Sequence, residues 1–320
     1  MARLVVKLVV GGSLFIILFA NIMKPTMPTE GEVADAAAKS KKSQTKIARG
    51  SKGGKGVKGA EQYPLVPPLS SAFPDESTPV EEEDNVGDVS ASLTDSAGHL
   101  DGHFAAIIID DVGRDKKRVI EILALGVPIT FSVLPGLEYS HELTKIIHES
   151  GQEVIIHMPM EPIGDGFKLN EKTLLITQSP EQIRGLVKEQ LINTPNAVGV
   201  NNHMGSLFTQ DPDRMWIVLN EIRLAGLFFI DSVTTSQSVA MKTARGMGLK
   251  SAARNVFLDV NNNPDDIRAA FRKTIRIAKK RGTAIAIGHP GKNTLDILSE
   301  IAPEFEEAGV KLVHVSSLVN

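Results

Sequence analysis

Phe104-Ala105-Ala106-Ile107-Ile108-Ile109 runs without a break into Asp110-Asp111-Val112-Gly113. An apolar run of this length reads as a strand buried on both faces, the pattern of a parallel sheet. The two carboxylates therefore lie where a strand leaves the core. A buried unpaired carboxylate is costly, and two together repel unless a cation or a shared proton holds them. The ordinary arrangement would be one acid capping a helix and one in solvent. In α/β folds, however, strand carboxyl ends deliver functional groups, and the rest of the chain repeats this pattern.

Outward from that stretch, short apolar runs alternate with amphipathic ones. Strands are expected at Phe104–Ile109, Pro128–Leu134, Glu153–His157, Ala197–Asn202, Leu227–Ile230, Asn255–Asp259, Thr283–Ile287 and Lys311–Val315. Helical patterns cover Lys116–Leu125, Glu138–Ser150, Pro180–Asn193, Asp211–Ala225, Asp265–Arg281 and Thr294–Ala308. Ser236–Leu249 is a weaker helix because Gly246 and Gly248 interrupt it. Turn glycines such as Gly126, Gly151, Gly226, Gly282 and Gly309 punctuate the alternation. The fold class is therefore α/β, a distorted (β/α) barrel of about seven or eight parallel strands over 102–320. An open doubly wound sheet is the alternative. No Gly-x-Gly-x-x-Gly follows the first strand, so no nucleotide cofactor is expected.

The amino-terminal third differs. Arg3 and Lys7 precede an apolar stretch from Leu8 to Met23 that Lys24 closes. Residues 1–24 read as an export signal or an uncleaved membrane anchor. Residues 25–101 are first rich in Lys, Gly and Ser, then acidic and Pro-rich around Glu81-Glu82-Glu83-Asp84. Such a segment buries too little apolar surface to offset its ordering entropy and reads as a solvated, disordered tether. The net charge of −3 among 320 residues gives no reason to expect nucleic acid. With no cysteine, a metal must rest on His, Asp, Glu or Asn, which favours zinc or another imidazole-binding divalent ion. The expected setting is the periplasmic face of a bacterial cell envelope.

Polar residues follow five of the expected strands: Asp110-Asp111, His157 through Glu161, Asn201-Asn202-His203 through Ser206, Asp231-Ser232, and His289-Pro290. In a parallel barrel these ends share one rim and converge. Each histidine taken singly is ordinary, a half-buried ring bonded to a carbonyl. Three histidines and two acids at strand ends are harder to ascribe to packing. One carboxylate and two imidazoles leave open positions for water and substrate, so Asp111, His157 and His203 are the expected ligands. Asp110 is then free to accept the proton of an attacking water. His289 is expected to protonate the leaving group, with Asp231 orienting it or binding a substrate hydroxyl. Met158, Met160 and Met204 either line an apolar pocket or fill gaps. Trp216 is assigned to packing.

The chain resembles the divergent branch of the polysaccharide deacetylase superfamily. The resemblance rests on Ile109-Asp110-Asp111-Val112-Gly113, Thr130 to Pro135, His157-Met158-Pro159-Met160-Glu161, Asn202-His203-Met204-Gly205-Ser206, Phe229-Ile230-Asp231-Ser232 and Ile287-Gly288-His289-Pro290. It implies a distorted barrel and metal-dependent removal of acetyl groups from a cell-envelope glycan. It also implies Asp110 as base, Asp111 as ligand and His289 as acid. Where other members carry a second histidine one helical turn on, this chain has Glu161, which is the alternative ligand if His203 points away. Glu161, Asn202 and Ser206 are assigned to substrate binding. These departures keep a second reading open, an inactive barrel that binds glycan or protein.

Overall fold

The computed structural model describes residues 102–320 and two short amino-terminal strands, Lys7–Val10 and Ser13–Ile16. The chain divides into two units, Met1–Val66 and Pro67–Asn320. In the first, the two short strands pair antiparallel, Lys7 opposite Ile16. They cover part of the expected signal or anchor; the rest of it, and the expected tether, lie outside the described residues. Among the described residues no helix is long and apolar enough to cross a membrane.

The second unit alternates strand and helix. Its strands are β1 (His103–Val112), β2 (Thr130–Val133), β3 (Glu153–Met160), β4 (Gly199–Met204), β5 (Phe228–Asp231), β6 (Ser251–Ala253), β7 (Val256–Phe257), β8 (Thr283–Gly288) and β9 (Val310–Leu312). The helices are α1 (Lys116–Leu123), α2 (Ser140–Glu149), α3 (Pro180–Asn193), α4 (Pro212–Leu224), α5 (Ala240–Gly246), α6 (Pro264–Arg281) and α7 (Lys292–Glu307). Their starts follow local chemistry. Ser179 and Gln182 form a reciprocal capping box ahead of α3, and Asp211 and Asn263 cap α4 and α6 just before a proline. The strand β6 was not expected from sequence, because three residues reading Ser-Ala-Ala carry little strand propensity.

All these strands pair in parallel, in the order β6-β5-β4-β3-β2-β1-β8-β7, with β9 beside the start of β1. The edge strands β6 and β7 are consecutive in the chain, separated by Arg254 and Asn255. The Arg254 N–H donates to the Asp231 carbonyl on β5, and the Asn255 N–H donates to the Ile285 carbonyl on β8. The sheet thus curls into an incomplete barrel whose seam this two-residue step crosses.

Strand alternation sorts the side chains. Ala105, Ile107 and Ile109 of β1 pack outward with Val119, Leu143, Phe271 and Phe305 of the helices. Ala106 and Ile108 point inward, meeting Ile155, Ile230, Ile285 and Ile287 in the barrel lumen. Val315 and Leu318 of the carboxyl-terminal turn join this inner cluster at the amino-terminal end of the strands and close it. Met158 and Met160 face outward into a third cluster with Val200, Phe208 and Phe229, so Met158 fills core space. Trp216 packs, partly buried, against the same cluster. A lumen filled below leaves the open rim above as the place where inward-facing polar residues emerge.

Candidate metal centre

Inward parity puts Asp110, His157, Asn201, His203 and His289 on the lumen side of the rim. Asp111 has the wrong parity, and its backbone corrects this. The β1–β2 register shifts between Ile109 and Val112, and Asp111 takes φ 56°. That left-handed kink turns a side chain which alternation would send outward toward its neighbour's side, so adjacent acids reach one imidazole. His157 Nε2 lies 3.2 Å from Asp111 Oδ1 and 3.6 Å from Asp110 Oδ2.

Asp111 Oδ1, His157 Nε2 and His203 Nδ1 form a nearly equilateral triangle with sides of 3.2, 3.0 and 3.1 Å. Ligand atoms about 2.1 Å from one divalent ion are separated by roughly 3.0 Å along an octahedral edge and roughly 3.4 Å along a tetrahedral one. The triangle falls between these values. Asp111 Oδ1 is buried and accepts no directed hydrogen bond, despite the two nitrogens beside it. Three converging donor atoms around an orphaned oxygen fit a cation. The chemistry of the set, one carboxylate with two imidazoles, agrees.

A hydrogen-bonded chain sets the tautomer. The Ser132 hydroxyl donates to Asn201 Oδ1 at 2.6 Å, and Asn201 Nδ2 donates to Asp110 Oδ1 at 2.8 Å. Because the carboxylate can only accept, the amide is oriented, and Asn201 Oδ1 faces His157 Nδ1 at 2.8 Å. That nitrogen must carry the proton, which leaves the Nε2 lone pair aimed into the triangle. Asn201 therefore links Asp110 to His157.

Electrostatics follow burial. Burial pushes the Asp110 carboxyl above its ordinary range, against the opposing pull of His157 and the Asn201 hydrogen bond. Burial also raises Asp111, but the imidazoles of His157 and His203 outweigh it and hold that carboxyl well below the usual range. Burial depresses the His157 imidazole, while Asp110 and Asp111 more than compensate and raise it. His289 is depressed by burial and raised by Asp259, reaching about 9. Its Nδ1 is 3.0 Å from Asp259 Oδ1, and the His289 backbone N–H donates to Asp259 Oδ2 at 2.7 Å. Its Nε2 faces the site, 3.9 Å from Asp111 Oδ2.

Several sequence expectations need correction. Asp231 does not orient His289; its carboxylate accepts from the Val233 N–H and the Ser238 hydroxyl. Phe228 and Ile230 face the lumen, so Asp231 has outward parity. Asn202 shares that parity with Val200 and is committed to the backbone, donating to the Met204 carbonyl and accepting from the Ser232 N–H. Glu161 is no ligand; Oε2 accepts from the Ile176 N–H at 2.6 Å. The Ser206 hydroxyl accepts from the Ile163 N–H. These three tie loops together rather than face the triangle. Sequence reasoning missed Asn201, Asp259 and Arg254, all of which inward parity selects. The Arg254 guanidinium donates to the carbonyls of Ser232 and Val233 and lies 4.9 Å from the Phe257 ring.

Residues 107–319 match the family model described as divergent polysaccharide deacetylase. The uncharacterized protein YibQ of Escherichia coli K12 is 38% identical over 215 residues, spanning 67% of each chain. An uncharacterized protein of Haemophilus influenzae is 37% identical over 193 residues, 60% of this chain and 69% of that one. The crystal structure of uncharacterized protein ATU2773 from Agrobacterium tumefaciens C58 superposes with a TM-score of 0.66 at 22% identity. It covers 70% of this chain and 92% of its own, and it shares the fold. Matched over two thirds of its length by the family model and by a relative of this identity, the chain belongs to the divergent polysaccharide deacetylase family.

Proposed function

We propose that this protein is a metal-dependent hydrolase that removes acetyl groups from a cell-envelope carbohydrate. The observation that carries the reading is the triangle of Asp111, His157 and His203, with Asp110 3.6 Å from His157 and His289 3.9 Å from Asp111. Those three residues would hold a divalent ion, zinc being the first choice for two imidazoles and a carboxylate. When bound, such an ion supplies Lewis acidity toward a carbonyl oxygen and makes water a better nucleophile at neutral pH.

The chain's own residues do the rest. Asp110, raised by burial and held by Asn201, accepts the proton of the water that attacks the acetyl carbonyl. His289, held protonated through neutral pH by Asp259, donates from Nε2 to the leaving nitrogen or oxygen, and acetate departs. Envelope localisation is proposed from the basic-then-apolar amino terminus. The test is acetate release from acetylated oligosaccharides by full-length protein, with and without chelator. Turnover should be lost on chelation and fall about 10²- to 10⁴-fold in Asp110→Asn. Release that survives both treatments sinks the mechanism.

A further inference from the structure

Beside His203 lies a cavity of about 70 Å³, walled by Leu134, Met160 and Met204 and flanked by Arg114 and Lys168. It has room for several water-sized groups. Arg114 follows Gly113 on the turn that presents Asp111, and Lys168 lies on the loop after β3. Among the described residues neither cation has a hydrogen bond or ion pair. By contrast, Arg268 and Arg272 on α6 are both paired with glutamates of α7. An unpaired surface cation is ordinary; two flanking one pocket that also contains a candidate ligand call for an anion.

The loop that carries Lys168 supports this. Its base is tied down by the Glu161 carboxylate on Ile176 N–H and by the Ser206 hydroxyl on Ile163 N–H. Its tip exposes Ile163, Phe167 and Leu169 at 55%, 48% and 42%. An apolar tip next to cations suits a sugar ring, which has an apolar C–H face and polar substituents.

We propose that Arg114 and Lys168 form a carboxylate-binding subsite that selects acetylated glycans whose neighbouring sugar bears a carboxylate, with Phe167 packed against that sugar. The planar guanidinium matches a carboxylate bidentately, and lysine adds a point charge. The subsite rests on the proposed deacetylase for its substrate, but its charge preference is measurable without turnover.

The experiment is equilibrium binding to full-length protein of a fluorescent acetylated oligosaccharide bearing that carboxylate, and of its methyl ester. The acid should bind about tenfold tighter, a preference that shrinks as salt rises. In the double variant Arg114→Gln/Lys168→Gln the ratio should fall to about one. A wild-type ratio near one overturns the subsite. So does a ratio unchanged in the double variant, or equal weakening of both ligands. Acetate release from the same two compounds separates the two proposals. A charge preference in binding without turnover keeps the subsite and removes the deacetylase; turnover with no preference does the reverse.

Discussion

Asp111 carries backbone strain of a kind that functional residues often hold, of order 1–3 kcal/mol for a non-glycine residue in the left-handed region. Here the strain has an identifiable use, since it brings a second carboxylate to the imidazole that the first already reaches. At His289 the relevant partner is Asp259. A general acid must be protonated to act, so the rate should fall as pH rises through about 9, where His289 loses its proton. Asp259 supplies the leading upward contribution against burial. In Asp259→Asn that contribution is lost, burial is opposed only by the weaker pull of Asp111 and Asp110, and the alkaline limb of kcat against pH should move to lower pH by about one unit or more. A limb that stays in place would remove His289 from the acid's role.

At the scale of the element, β4 and β5 show how closely the rim residues depend on the packing below them. A Cβ built on Gly199 would lie 2.3 Å from the Phe228 ring, inside the lumen cluster. Gly199→Val should therefore cost about 1–3 kcal/mol through overpacking, read as a lower urea midpoint with unchanged slope. An unchanged midpoint would mean that β5 yields without cost. The same two strands show what was legible beforehand. Once a strand's buried residues are marked, alternation assigns Asn201 and His203 inward and Asn202 and Asp231 outward. Asn202 and Asp231 were singled out by residue type and adjacency, and Asn201 was passed over because an asparagine beside a turn reads as a turn former. Asp259 closed the expected strand Asn255–Asp259, where alternation with the inward Phe257 could have selected it, and it was assigned no role.

At the scale of the whole molecule, the candidate ligands come from three strands, β1, β3 and β4, so a bound ion would link elements distant in the chain. An ion bound only by the folded state stabilises it by about 2.7 kcal/mol at 100-fold excess over Kd. For a domain of this size, that corresponds to roughly 5–10 °C in Tm. Calorimetry with and without chelator should show this shift in the wild type and none in Asp111→Ala. An equal response in both would place the ion elsewhere.

All the strands but β6, the main helices, the parallel barrel and the gathering of acids and imidazoles at one rim were determined by the sequence by itself. Hydrophobic periodicity is local, and a buried parallel strand has few other ways to end. Tertiary structure alone decided the rest. It paired β7 with β8, which set Asp259 against His289 just beyond the ends of those strands, and it kinked Asp111 out of alternation to complete the triangle. Neither event is encoded in a residue's own neighbourhood, because each depends on where another strand lies when the chain leaves the sheet.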